Sequence, residues 1–229
     1  SLRLAHPLAY SSDHRMLLVE PIRGRAIGRL TGPDLSKGLF AYGAALATLH
    51  SLPLDHVPAP SRPQLERLKR KARDIGVVRP DIEARSNELL AEISERWPVA
   101  QDAPVFVHGD ANENNAIFQN GRVALIDFDR ASSGEAASDL GNFLGLLAYF
   151  RSLGDLSRGA EVERATAFMH GYASVRDLPN PASLRLFLAA SLAERAFRAV
   201  NRVRPKALLR APRLLVEGRS LLHGDGALF

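Results

Sequence analysis

No cysteine occurs in the 229 residues. Disulfides and thiolate-held metals are thereby excluded, and a reducing, cytoplasmic setting fits better than a secreted one. Long apolar runs are missing as well. No stretch approaches the roughly 20 residues of a membrane span, so no membrane association is expected. The first residues lack the basic, apolar and small-residue series of a secretory leader. Aromatic residues make up only 7% and are sparse in the basic segments. Base stacking on such segments has little to work with, and a nucleic-acid partner is not expected. No internal repeat or low-complexity tract is visible. What the chain does have is 46% apolar residues, enough for a core that needs no covalent staples.

Charge is spread unevenly. Residues 1–100 carry 15 Lys/Arg against 11 Asp/Glu, residues 101–150 carry 2 against 7, and residues 151–229 carry 13 against 7. An acidic island thus sits between two basic flanks. Clusters of this kind either solvate a surface or hold a cation.

Short apolar runs at 16–19 (MLLV, read as a buried strand) and Val105–Val107 suggest strands. Asn120-Gly121 between apolar arms at 116–118 and 122–126 is a hairpin signal, because both residues accept positive φ. Ser36 can cap a helix running to about His50. Pro53, Pro58, Pro60 and Pro63 make a stiff connector. Helical patterns follow at 64–75, at 81–96 with Leu89, Leu90, Ile93 and Trp97 facing a core, and at 139–151, 160–174, 182–202 and 206–222. The expected fold class is α+β, dominated by helix.

Inside the acidic island lies VHGDANENNAIF, residues 107–118. A plain turn needs one Gly and one Asn, not this crowd of oxygen-bearing side chains. A two-residue turn brings the start of one hairpin arm beside the end of the other, so Asn115 and Asp127 should be neighbours, with the Asp110 loop entering the same corner. Oxygen ligands without His or Cys suit Mg²⁺, which usually keeps coordination places for substrate phosphates. Asp, four residues, Asn, a hairpin, then an Asp-bearing turn is the arrangement of kinase phosphoryl transfer. Asp110 would be the base, and Asn115 and Asp127 the metal ligands.

The segment HGDANENNAIF…ALIDFDRASSGEAASDLGNF resembles the catalytic core of the aminoglycoside phosphotransferase and choline kinase-like family. These are small-molecule kinases with a protein-kinase-like fold. The pattern matches at His108, Gly109, Asp110, Asn115, Asp127, Phe128, Asp129, Asp139 and Leu140. The resemblance implies ATP and Mg²⁺ as cofactors and a small-molecule hydroxyl as acceptor. It also implies a hinge at residues 18–22, where backbone at Glu20 and Ile22 would meet the adenine. His108 is expected to brace the loop. Asp129 would stand near the metal, and Asp139 would cap the helix starting near Leu140 and bond the catalytic loop. His50 reads as a packed helix-end residue.

Two departures stand out. Where the family has Leu-His-Pro-Gly or close to it, this chain has Ala111-Asn112-Glu113-Asn114. Before the hinge strand, residues 1–16 contain no Lys and no Gly-rich loop. The expectation is a kinase-like C-terminal lobe, residues 25–229, with its metal-binding hairpin at 105–130. Residues 1–24 would be a remnant of the nucleotide-covering lobe and hinge. A fragment is expected; a naturally short binding module without activity and a lobe supplied by a second chain are the alternatives. A rival enzyme reading takes VALIDFDRA as an Asp-nucleophile phosphatase motif, which would open a doubly wound domain. For the acceptor, Arg195, Arg198 and Arg202 share a helical face, which disfavours a strongly cationic molecule.

Overall fold

The computed structural model describes residues 2–55, 57–59, 64–97, 102–201 and 205–224. Pro60, Pro63, Arg202 and the end of the chain lie outside the described residues. Three short strands open the chain: β1 (Leu2–Leu4), β2 (Pro7–Ser11) and β3 (Met16–Val19). Next come β4 (Arg25–Ala26), a 3₁₀ turn (Ile27–Arg29) and helix α1 (Gly32–Leu49). Helices α2 (Gln64–Val78) and α3 (Pro80–Arg96) precede β5 (Val105–Val107), β6 (Ala116–Gln119), β7 (Arg122–Leu125) and β8 (Ser132–Gly134). The rest is helical: α4 (Ala136–Leu153), α5 (Arg158–Ala173), α6 (Pro181–Asn201), the single turn α7 (Pro205–Leu208) and α8 (Ala211–His223). The α+β, helix-rich expectation holds.

Several local readings need correction. MLLV is a strand, but not a buried one. Among the described residues it pairs only with β2, and Met16, Leu17 and Leu18 are each about 60% exposed because no described helix covers the hairpin. Helix α1 starts before Ser36, at Gly32, with Thr31 as its N-cap residue and Pro33 in the first turn, where its missing N–H costs nothing. The Ser36 hydroxyl instead donates to Glu163 on α5. The last expected helix is two, α7 and α8, with Pro212 at the start of the second.

The β6–β7 hairpin is the centre of a four-stranded sheet ordered β1-β7-β6-β4. Its turn is Asn120-Gly121, with φ of 49° and 76°. Beneath it, Tyr42 of α1, Phe143 of α4 and Phe168 of α5 form a buried aromatic cluster with ring centroids 4.4–5.3 Å apart. Strand β5 pairs antiparallel with β8, a short partner that carries no apolar signal of its own. The 108–115 loop is therefore anchored at one end by β5–β8 and at the other by β6–β7.

Helix α6 lies tightly on α4 because Gly141 and Gly145 face it. A methyl group at Gly141 would sit 2.7 Å from the Phe187 carbonyl carbon and 2.8 Å from the Leu188 nitrogen. Backbone atoms cannot rotate away. Gly141→Ala is expected to destabilise the chain by about 1–3 kcal/mol, despite the better helix propensity of Ala. Thermal unfolding should show the loss as a drop of about 2–4 °C per kcal/mol.

Candidate active site

The catalytic-loop backbone hangs on one buried carboxylate. Asp139, 1% exposed in the first turn of α4, accepts the His108 amide at Oδ2 (2.6 Å) and the Gly109 amide at Oδ1 (2.9 Å). His50, at the C-terminal end of α1, meets the same Oδ2 through Nε2 at 3.2 Å, and its Nδ1 meets the Tyr172 hydroxyl at 2.9 Å. Burial alone would raise the Asp139 pKa; the His50 hydrogen bond and charge, with His108, outweigh it and hold the carboxyl below its ordinary value. The expected capping role fails, since α4 starts at Ala136 with Glu135 as its N-cap residue. The bond to the loop is as expected. His50 is packed, as expected, but it is also a strut of this network.

The His108 side chain braces the loop from inside. Its Nε2 lies 2.9 Å from the Ile126 carbonyl, and its ring sits 4.7 Å from that of Phe128. At Gly109, φ is +77°, and a Cβ there would run into the Arg130 carbonyl. Only a glycine makes this turn without strain.

Asp110 then emerges half-buried, lining a cleft walled by α4 and α6. Its carbonyl oxygen accepts hydrogen bonds from Asn112 Nδ2 (2.9 Å) and Asn115 Nδ2 (3.1 Å). Asn112 Oδ1 accepts from the Asn114 amide, so these two asparagines build the turn and also line the cleft. Asn115 follows directly into β6, and its carbonyl accepts the Ile126 amide at 3.0 Å. The ladder thus runs on past Ala116–Leu125 and brings Asp127 beside Asn115. Asp127 takes a left-handed φ of +64°, which Asp adopts more readily than most residues. Neither Asn115 nor Asp127 lines the cleft that holds Asp110. Asp129 is exposed, and no hydrogen bond of its side chain is recorded among the described residues.

Glu113, the departure from the family's loop, turns away from the cleft and packs against Gly28. Burial pushes its carboxyl up, opposed by Arg164 at 4.0 Å. Asn142 ties the loop to α4 by donating from Nδ2 to the Ala111 carbonyl (2.9 Å). The sequence reading missed this contact; Asn142 in DLGNF is one helical turn from Asp139 (i, i+3), the only local hint. The Glu20 carboxylate accepts from Arg3 (3.0 Å) and from the His6 amide (3.3 Å). Ile22 lines a separate groove with Ile117 and Ala124 of the hairpin.

The cleft has a volume of about 630 Å³. Trp97, Phe150 and Phe187 supply apolar wall, and Arg67, Arg130, Arg195 and Arg198 supply positive charge. The phosphatase rival needs a doubly wound parallel sheet after the ALIDFD strand. Helices α4 to α6 follow instead, and among the described residues only β1 and β7 pair in parallel.

The architecture is that of the antibiotic-kinase fold. A thermostable mutant of aminoglycoside phosphotransferase APH(4)-Ia superposes with a TM-score of 0.66 at 15% identity, covering 99% of this chain and 79% of that one. A Ralstonia eutropha structure described as a putative aminoglycoside phosphotransferase gives 0.68 at 16% identity, covering 96% and 78%. The amicoumacin kinase hAmiN, solved with AMP-PNP, Ca²⁺ and its antibiotic, gives 0.65 at 16% identity, covering 93% and 65%. Residues 3–187 match the phosphotransferase enzyme family, and the chain belongs to that family. A search of curated proteins found no match.

Proposed function

We propose that the site performs Mg²⁺-dependent transfer of the ATP γ-phosphoryl group to a hydroxyl of a small molecule. One observation carries this reading. Asn115 is bonded to the Asp110 carbonyl and pairs with Ile126, the residue before Asp127, which supports reading base and ligand residues as parts of one site at the end of the hairpin. Family membership supports phosphotransfer in general, and relatives solved with ADP or AMP-PNP support a nucleotide.

In this assignment Asp110 orients the acceptor hydroxyl and takes its proton as the oxygen bonds to the γ-phosphorus and ADP leaves. Asn115 suits a metal, because its Nδ2 is committed to the Asp110 carbonyl while its Oδ1 has no hydrogen-bond partner among the described residues. The Asp127 carboxylate, exposed beside it, completes an all-oxygen donor pair. Bound Mg²⁺ would neutralise charge on the phosphates. Backbone at Glu20 and Ile22 is assigned to the adenine side, since the Ile22 groove has Ile117 as a wall, two residues beyond Asn115. Residues 1–24 form the hinge side and 25–229 the acceptor lobe in this scheme.

Asp127→Ala is the decisive variant. Mn²⁺ affinity in the presence of AMP-PNP, followed by electron paramagnetic resonance, should fall more than about 100-fold. ADP production should fall with it. Equal signals from wild type and variant would count against catalysis and favour a kinase-like binding module.

A further inference from the structure

The cleft wall opposite the base contains a guanidinium with nothing anionic to hold. Arg195 of α6 donates twice from Nη2, to the Asn142 carbonyl (2.7 Å) and to Asn142 Oδ1 (3.0 Å), both uncharged acceptors. Its Nε is buried without a partner. No carboxylate lies within ion-pair distance of Arg195 among the described residues, although burial, with Arg198 beside it, brings its pKa down to about 10. A partly buried cation with a buried, unpaired donor is costly unless something anionic completes it.

Glu194 and Asp110 act on Arg195 through space, without an ion pair among the described residues. Glu194 Oε1 is shared by Lys71 (2.5 Å) and Arg198 (3.0 Å), one negative charge between two positive ones. Asp139 is engaged by His50 and two amides. Across the mouth, Glu135 accepts the Asp102 amide and Asp102 accepts the Asn180 amide. The α6 wall is therefore left with a net positive charge facing the cavity that Asp110 lines. Asn142 also bonds the Ala111 carbonyl, so the Arg195 anchor is fixed relative to the loop that carries the base.

We propose that the acceptor carries an anionic group, a carboxylate or a phosphate, which docks on Arg195 with Arg198 beside it and so presents the molecule's hydroxyl to Asp110. Arg195 Nη1, which has no hydrogen-bond partner among the described residues, suits either group with Arg198 beside it, by charge-assisted hydrogen bonds that a neutral polyol cannot match. This assignment rests on the kinase reading for the hydroxyl's fate, but the anion site itself does not.

The test is calorimetric titration of the whole chain without nucleotide, at constant ionic strength. The probes are inorganic phosphate, D-glycerate and, as the neutral match, glycerol. Wild type should bind one of the anions and not glycerol, and the tighter anion identifies the group. Arg195→Gln should weaken that binding about tenfold or more. Arg213→Gln, an exposed charge outside the cleft, should leave it unchanged. If Arg195→Gln does not fold, Arg198→Gln carries the same comparison. Asp110→Asn should bind the anion at least as well as wild type while its phosphoryl transfer falls about 10²–10⁴-fold. Equal loss in the Arg195 and Arg213 variants would overturn the proposal. So would displacement of the anion by AMP-PNP, which would put it on the nucleotide side, or tighter binding of a polycationic aminoglycoside in the cleft. Anion binding without phosphoryl transfer would sink the kinase reading alone; transfer to neutral acceptors only would sink this one alone.

Discussion

Asp110→Asn is expected to lower kcat for phosphoryl transfer by about 10²–10⁴-fold. The side chain keeps its shape and its hydrogen-bonding capacity but can no longer take a proton. Among the described residues its carboxylate makes no hydrogen bond or ion pair: the main-chain carbonyl accepts from Asn112 and Asn115, and the amide donates to His108 Nδ1. Stability should therefore stay within about 0.5 kcal/mol of wild type. Acceptor KM should change little, because Asn keeps a hydrogen bond to the acceptor hydroxyl and most of the cleft lining is unaltered. A loss of the same size in kcat and kcat/KM, with an unaltered melting curve, would mark a group acting in the transition state. A variant that retained full turnover would remove Asp110 from the chemistry.

Asp139→Ala should have the opposite profile, with stability hit first. Removing this carboxylate leaves the amides of His108 and Gly109 and the His50 ring without their acceptor, all in the interior. Breaking such a buried pair by deleting one partner costs about 3–5 kcal/mol. At about 2–4 °C per kcal/mol, that is a drop in melting temperature of roughly 6–20 °C. Activity should fall even below the melting point, since the turn that aims Asp110 loses its tether. The carboxyl's lowered pKa adds a pH signature. A depressed folded-state pKa contributes stability above the unfolded value and loses it as pH falls through the folded value. Wild type should thus lose this contribution as pH drops below the ordinary value of 3.8. Asp139→Asn cannot show that decline. Urea titrations of both proteins between pH 6 and 3 would reveal it, and parallel curves would remove Asp139 as the titrating group.

The exposed β2–β3 hairpin and the buried Asp139 network show why parts of this fold were readable and parts were not. MLLV has the composition of a buried strand, yet composition reports only what a strand can pack against, and among the described residues no element covers it. The Ser36 reading failed because Thr31 and Pro33 supplied an earlier start. Strand β8 escaped notice since Ser132-Ser133-Gly134 owes its pairing to β5 and not to any apolar pattern. Helices α3, α4, α5 and α6 were placed to within a few residues because apolar periodicity records a buried face directly.

Chain-local chemistry was sufficient for the family's catalytic pattern, the Asn120-Gly121 hairpin with its pairing of Asn115 and Ile126, and the helix-rich class. Each depends on neighbours in sequence or on a two-residue turn whose geometry is fixed by φ alone. Folding in three dimensions was required to bring His50 to Asp139 across 89 positions and Arg195 to Asn142 across 53. It also turned Glu113 away from the cleft and left Arg195 of α6 without an ion-pair partner among the described residues. Those outcomes follow from helix packing, above all the close approach that Gly141 and Gly145 permit between α4 and α6, and no window of sequence contains both partners.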